Sequence, residues 1–395
     1  MQGVGRLAAT ILAALALPAA ASAATRADSP LGPRLAAALK VPHVSPVRSS
    51  AVAIDLATGQ TLYSQNPTRA LEPASNEKLP LTYALLTALG PSFRLETTVV
   101  AKGPDLYLVG AGDPSLTHRD LAVLARKVRA AGITSVRRVL GDESLFDTRR
   151  TGPGWKASFY IYESPPLSAL VVDRASYEGQ VSSDPALAAA LLFRDALRAA
   201  HVAVTGTVAV GTAPPDAEPV AVTRSPTLAS LVRFMDLHSD NFTAELLLKQ
   251  LGRLQADRGS TAAGAQTVMR LLGADGIPLS GVRFVDGSGL SQLDRLTTTT
   301  IVAVLEALWQ NPALQPVLLR ALPVAGTSGT LRDRMRTAPL RGNVLAKTGT
   351  TLEASALSGF VRRKYVFAIL QNGSPLSSWW ARKAQDRFAG VLARS

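Results

Sequence analysis

The stretch Pro73-Ala-Ser-Asn-Glu-Lys, followed by an apolar run from Leu79 to Leu86, constrains this chain more than any other segment. A serine where an extended segment becomes a helix has free backbone N–H groups and the positive end of the helix dipole beside it. Lys78 lies three residues after Ser75, on the same face of the predicted helix. The pattern predicts a serine nucleophile whose proton Lys78 accepts. A serine cap followed by a solvated lysine is the simpler alternative.

Two later motifs favour the functional interpretation. Ser239-Asp240-Asn241 lies between two predicted helices, and Lys347-Thr348-Gly349-Thr350 lies within a predicted strand. Taken alone, the first is an ordinary helix cap and the second an exposed strand. Ser75 and Lys78 form the only Ser-x-x-Lys pair in the chain. The order Ser-x-x-Lys, Ser-x-Asn, Lys-Thr-Gly is the signature of serine enzymes that react with penicillin.

The first 23 residues predict export. They carry one charge, Arg6, then an apolar run and the small residues Ala21-Ser-Ala, which is typical of a secretory signal cut after Ala23. A retained membrane anchor is the alternative. The chain has no cysteine, which excludes disulfides, a lipid-anchored cysteine and a cysteine-based zinc site. We expect a protein of the periplasm, or of the extracellular cell wall.

The charge of the chain argues against nucleic-acid binding. The net charge is +13, and removal of the signal with its one arginine leaves +12. The charge is spread along the chain without a basic tract, so peripheral contact with an anionic envelope surface is the better hypothesis. Four scattered histidines without a His-Glu-x-x-His pair make a zinc hydrolase a poor hypothesis, and no phosphate-binding glycine loop is present. We expect no cofactor and no metal.

The predicted architecture is α/β (α+β), with an antiparallel sheet flanked by helices. At 395 residues the chain is long enough for two domains. We predict a catalytic domain formed by residues 24–92 and 226–395, and an inserted α/β lobe at 93–225. The last helix has one apolar face, which we assign to the core, although its arginines and lysine leave a membrane-surface helix as the alternative. Pro80 is unusual inside the predicted nucleophile helix.

From Ser50 onward the chain resembles the class C low-molecular-mass penicillin-binding proteins, which are D-alanyl-D-alanine carboxypeptidase/endopeptidases. The insertion looks shorter than in larger members of that family. The stretches that carry the resemblance are Pro73-Ala-Ser-Asn-Glu-Lys, Leu106-Tyr-Leu-Val-Gly-Ala-Gly-Asp-Pro-Ser-Leu, Gly141-Asp-Glu-Ser-Leu-Phe, His238-Ser-Asp-Asn-Phe-Thr-Ala-Glu, Asp286-Gly-Ser-Gly-Leu-Ser, Pro323-Val-Ala-Gly-Thr-Ser-Gly-Thr-Leu and Ala346-Lys-Thr-Gly-Thr.

The resemblance implies a transpeptidase-like catalytic domain that acts on peptidoglycan stem peptides ending in D-Ala-D-Ala. It assigns the attack to Ser75 and proton transfer to Lys78 and Ser239, with Asn241 bonded to the acyl side chain. It places the substrate carboxylate on the strand motif and the oxyanion between the amides of Ser75 and Thr350. The residues implied to bind substrate are Lys347, Thr348, Gly349 and Thr350.

The resemblance also implies that β-lactams acylate Ser75. No Glu-x-x-Leu-Asn element follows Ser239-Asp240-Asn241 to activate a deacylating water, so we expect slow release. The alternatives are a serine β-lactamase or esterase on the same fold, and a non-enzymatic cell-wall-binding scaffold. Oligomeric state and the balance of carboxypeptidase and endopeptidase activity stay open.

Overall fold

The computed structural model describes residues 30–395, so the predicted signal at 1–23 lies outside the described residues. The strands, in chain order, are β1 Ser49–Asp55, β2 Thr61–Gln65, β3 Glu96–Lys102, β4 Asp105–Val109, β5 Ser135–Val136, β6 Arg138–Asp142, β7 Ser176–Tyr177, β8 Gln180–Val181, β9 Ala203–Val204, β10 Val208–Val210, β11 Glu218–Arg224, β12 Val344–Thr350, β13 Ala354–Val361 and β14 Tyr365–Asn372. The α-helices are α1 Gly32–Leu39, α2 Lys78–Leu89, α3 His118–Ala130, α4 Pro185–Ala199, α5 Leu228–His238, α6 Asn241–Ala256, α7 Thr261–Ala274, α8 Thr298–Gln310, α9 Gln315–Ala321 and α10 Ser378–Ala393.

The first sheet joins the two ends of the described chain. Its order is β12-β13-β14-β1-β2, and every neighbouring pair is antiparallel. Side chains alternate between its faces, since Val52 belongs to the core that contains α2 and α8, whereas Ala51 and Ala53 belong to the core beneath α1 and α10. Strands β1 and β2 form a hairpin. Strand β12 lies at the edge of the sheet, where a peptide can pair with it.

The second sheet lies within the segment predicted as an inserted lobe. Its order is β10-β6-β4-β3-β11, with parallel pairing of β4 to β6 and of β6 to β10. Helices α3 and α4 supply its core, which includes the fully buried Phe193. A smaller apolar cluster joins Phe146 to Phe242 and Leu246 of α6. The exact domain boundaries at 93 and 225 stay a prediction.

The nucleophile segment lies at the centre of the first core. A 3₁₀ turn over Ala74–Glu77 leads directly into α2, whose Leu79, Leu81 and Leu85 are fully buried. A helix that is apolar all round must be enclosed by protein. Pro80 is the third residue of α2, where a helix tolerates the loss of an N–H group. Gly90, at φ +79°, ends the helix.

Helix α10 confirms the assignment of its apolar face to the core. Ala384 and Phe388 are fully buried, and the ring of Phe388 packs against Tyr63 and Phe367. Its opposite face carries exposed basic side chains. Within residues 30–395, no helix is both long enough and apolar enough to cross a bilayer.

We predict that Phe193→Ala lowers the free energy of unfolding of the second lobe by about 3–5 kcal/mol, because the ring is fully buried and its removal leaves a cavity. Urea unfolding checks this. Val123→Ala on the exposed side of α3 is the control and should cost much less. Equal losses for the two variants would show that the Phe193 site is not packed as described.

Candidate active site

The three motifs converge on one groove. Ser75 lies at the entry to α2, Ser239 and Asn241 lie at the junction of α5 and α6, and Thr348–Thr350 form part of β12. These residues line one groove of about 1140 Å³. The two lysines of the motifs, Lys78 and Lys347, lie buried beneath the groove. Ser239 adopts the left-handed conformation, φ +58°, which ends α5 and turns the chain into α6.

The Lys78 amine has three hydrogen-bond acceptors. Its Nζ lies 3.1 Å from Ser75 Oγ, 2.8 Å from Asn241 Oδ1 and 2.6 Å from the carbonyl oxygen of Ser288. Three acceptors match the three N–H bonds of an ammonium group. When the amine loses one proton, its lone pair needs a donor. Neither the Ser288 carbonyl nor Asn241 Oδ1 can donate, so the lone pair must face the Ser75 hydroxyl.

Burial makes the loss of that proton accessible. The Lys78 side chain is fully buried, and burial lowers the pKa of its amine to about 8, whereas the carboxylates of Asp286, Glu245, Asp240 and Asp236 oppose the shift. Burial is therefore the largest cause of the lowering, and the acidic charges around Lys78 work against it.

Lys347 is the second buried amine. It donates to Ser239 Oγ at 2.8 Å and to the carbonyl of Thr348 at 3.0 Å. Burial, and then the positive charge of Lys78, lower its pKa well below the ordinary value, while Asp236 opposes the shift. A substrate carboxylate brought next to Lys347 would favour the charged amine.

Gly349 lets β12 approach the nucleophile. A Cβ atom there would lie 2.8 Å from the carbonyl oxygen of Pro73 and 3.0 Å from the Ser75 nitrogen. Asn76 fixes the same approach, because its Nδ2 donates to the carbonyl of Lys347 at 3.1 Å. The strand and the nucleophile turn are therefore held at a separation that leaves no room for a side chain at position 349.

The loop from Asp286 to Ser291 presents the Ser288 carbonyl to Lys78. The Asp286 carboxylate accepts from the amides of Ser288, Gly289 and Ser291 at 2.7–3.1 Å and from Trp155 Nε1 at 2.7 Å. A Cβ atom on Gly289 would lie 1.9 Å from the Ala74 carbonyl oxygen. Asp286 is therefore a residue that positions the loop against the nucleophile turn.

Further carboxyl groups lie buried behind this loop. Glu245 Oε1 accepts from the amides of Gly287 and Ser288 at 2.9 Å. Burial, with the Asp286 charge second, raises the pKa of Glu245 to about 8 and that of Glu77 well above its ordinary value. Neither oxygen of Glu77 has a hydrogen-bond partner among the described residues, which favours the neutral acid. Within residues 30–395, no cluster of three or more acidic or histidine side chains is arranged to hold a metal ion.

Several residues of the site escaped the sequence reasoning. Glu163 lines the groove and bonds through its carbonyl to Asn241 Nδ2 at 3.2 Å, and Thr330 lies 2.7 Å from Thr348 Oγ1. No spacing rule connects Glu163 to a motif, and Thr330 was noted only within the family stretch that begins at Pro323, without a role. The Asp286 loop was recognised as a family stretch, but its role depends on a carbonyl, which has no side-chain signature.

Comparison with known proteins places the chain in a family. It belongs to the D-Ala-D-Ala carboxypeptidase 3 (S13) family, whose sequence model matches residues 32–183 and 179–395. It is 32% identical to a D-alanyl-D-alanine carboxypeptidase from an Actinomadura species, over 96% of this chain and 87% of that protein.

Solved structures agree on the fold. Penicillin binding protein 4 from Haemophilus influenzae has a TM-score of 0.80 at 22% identity, covering 91% of this chain and 98% of that one. A β-lactam complex of the same protein has a TM-score of 0.75 at 21% identity with the same coverage. The expected family and the penicillin-binding-protein fold are confirmed.

We predict that the rate of Ser75 acylation by a penicillin rises with pH through about 8, because burial sets the Lys78 pKa there and only the neutral amine accepts the proton. Second-order rate constants between about pH 6 and about pH 10 measure the midpoint. Asp236→Asn should lower the midpoint, since the Asp236 charge raises the Lys78 pKa. A rate independent of pH over this interval would contradict the role of Lys78.

Gly349→Ala should reduce acylation by about 100-fold, because the added carbon displaces β12 from the Ser75 amide. Stopped-flow acylation measures the loss. Gly273→Ala in α7 is the matched control, because its Cβ would meet no atom closer than 3.4 Å. An unchanged rate in Gly349→Ala would show that the close approach is not needed.

Proposed function

We propose that Ser75 carries out the D-Ala-D-Ala carboxypeptidase reaction of this family on peptidoglycan stem peptides, and that β-lactams acylate the same hydroxyl. The supporting observation is the Lys78 amine, which is buried, has a pKa of about 8 and lies 3.1 Å from Ser75 Oγ. Its two other partners are acceptors, so a neutral Lys78 is directed at one hydroxyl. A solvated lysine beside a helix cap would have neither property.

In the proposed reaction, Ser75 Oγ attacks the carbonyl carbon of the penultimate D-alanine while Lys78 takes the hydroxyl proton. The amides of Ser75 and Thr350 bind the oxyanion. The C–N bond then breaks, and Ser239 relays a proton to the leaving D-alanine nitrogen. Water hydrolyses the ester and restores Ser75. The 2.8 Å contact of Ser239 Oγ with Lys347 Nζ supports the relay, because it connects that hydroxyl to a source of protons.

The substrate carboxylate supplies part of the activation. It binds Lys347 with the hydroxyls of Thr348 and Thr350, and it stabilises the charged form of the Lys347 amine. The two buried amines repel each other as cations, so a charged Lys347 disfavours the charge on Lys78. Binding of the correct carboxylate therefore favours the neutral base. Beside them, Gly349 on the sheet edge leaves room for the peptide to pair as an added strand.

We infer that the enzyme acts outside the cytoplasm, in the periplasm or at the cell wall, with a peripheral attraction to anionic envelope surfaces. The signal-like first 23 residues, the absence of cysteine and the net charge of +13 support this inference.

Ser75→Ala should abolish covalent labelling by a fluorescent penicillin and the release of D-alanine from a D-Ala-D-Ala peptide, because no other group supplies the attacking oxygen. Gel fluorescence and D-alanine assay measure the two activities. The exposed Ser135→Ala is the control and should keep both. Wild-type label should persist over many minutes. Retained labelling in Ser75→Ala would falsify the assignment, and rapid turnover of a cephalosporin by the wild type would favour a β-lactamase.

A further inference from the structure

The active-site groove does not end at the serine. It continues past Thr348 and Thr350 of β12 and runs along the solvent-facing side of α10. Arg382 marks the connection, because its guanidinium lies 3.4 Å from Thr350 Oγ1. The wall beyond that point is built from Trp379, Lys383, Arg387 and Arg394.

The direction in which the groove extends indicates which part of the substrate it receives. In the proposed function, on which this inference rests, Thr348 and Thr350 hold the carboxylate of the residue that leaves. The acylating half of the substrate extends the other way, past Ser75. A groove that continues from Thr350 onto α10 therefore receives atoms attached to the leaving group.

The α10 wall carries positive charge that the protein does not neutralise. Lys383, Arg387 and Arg394 follow one another by four and seven residues, which puts them on one helix face. None of the three makes an ion pair with any described residue, whereas the nearby Arg334 pairs with Asp386 at 2.8 Å. Lys383 Nζ lies 4.5 Å from the ring centroid of Trp379, which is 60% exposed.

The length of this wall exceeds what a single amino acid needs. From Lys383 to Arg394 the helix rises by about 16 Å, whereas one extended residue spans about 3.5 Å. A lone D-alanine bound at Thr350 is too short to extend along this wall. A row of unpaired cations of this length matches a peptide with several carboxylates.

We propose that Lys383, Arg387 and Arg394 form a leaving-group subsite for the second peptide of a cross-link, an anionic strand whose amine is joined to the scissile D-alanine carbonyl. Ser75 Oγ forms its ester with that carbonyl, the C–N bond to the second strand breaks, and the strand leaves as a free amine after protonation. Water then hydrolyses the ester. The subsite gives the enzyme a preference for cross-links whose leaving strand is acidic.

The test compares two substrates in one variant. Lys383→Glu with Arg387→Glu should reduce kcat/KM on a cross-linked peptide dimer by about tenfold, mainly through KM, because two attractive contacts become repulsive. D-alanine release from the matching uncross-linked peptide should change less than about twofold, since a single residue is too short to extend along the wall. Arg119→Glu with Arg126→Glu on α3 makes the same change in net charge far from the groove and should leave both rates unchanged.

A modified dimer separates the subsite from general electrostatics. When only the carboxylates remote from the scissile bond are amidated, wild-type kcat/KM should fall, and the Lys383/Arg387 variant should show no preference for the acidic dimer. Equal losses on both substrates in that variant, or no loss on the dimer, would overturn the subsite. Absence of penicillin labelling and of D-alanine release in the wild type would instead refute the proposed function itself.

Discussion

A lysine amine enclosed by protein is the constraint that organises this molecule. An ammonium group loses several kcal/mol of hydration when it is buried, so its surroundings must supply acceptors or accept its neutral form. For Lys78, the acceptors are Ser75 Oγ, Asn241 Oδ1 and the Ser288 carbonyl oxygen. When Lys78 is neutral, the Ser75 hydroxyl can donate to its lone pair. These atoms come from the α2 entry, the α5–α6 junction and a loop more than two hundred residues from the lysine. The packing of the catalytic core brings these three acceptor atoms together around the Lys78 amine.

Close backbone contact is the means by which these segments meet. Ala74, just before the nucleophile, lies at φ +47°, a conformation that costs a non-glycine residue about 1–2 kcal/mol. Gly289 of the loop and Gly349 of β12 both lie in close contact with the backbone around Ala74, and neither position has space for a Cβ atom. The strain persists because both neighbours are fixed, one by the Asp286 carboxylate and the other by the ladder of β12 with β13. The position of the Ser75 amide is therefore set by backbone and not by adaptable side chains.

Local sequence patterns predict several elements of the fold, but they do not predict the contacts between remote segments. The buried face of α10 was predicted from its short-range apolar periodicity and agrees with the structure. The hairpin of β1 and β2 and the end of α2 at Gly90 depend on local signals of the same kind. The opposing effect of the surrounding carboxylates on the Lys78 pKa was not predicted, because a sequence does not show how many carboxylates surround an amine. Glu163 lies in no quoted motif, and Thr330 lies in a family stretch that gave it no role, since the approach of both residues to the groove is a result of tertiary packing.

The distribution of charge explains why a basic protein needs a buried acidic layer. Cations along α10 would attract an anionic substrate in the proposed subsite, but cations alone beside the nucleophile would drive the proton from both lysines and leave Lys347 unable to hold a carboxylate. Asp236 and Asp286 lie on the inner side and oppose that loss, Asp236 for Lys347 and both for Lys78. The resting pKa of Lys78 thus stays near 8 instead of falling further. In the proposed reaction, the substrate carboxylate favours the charged form of Lys347, and that charge in turn disfavours the charge on Lys78.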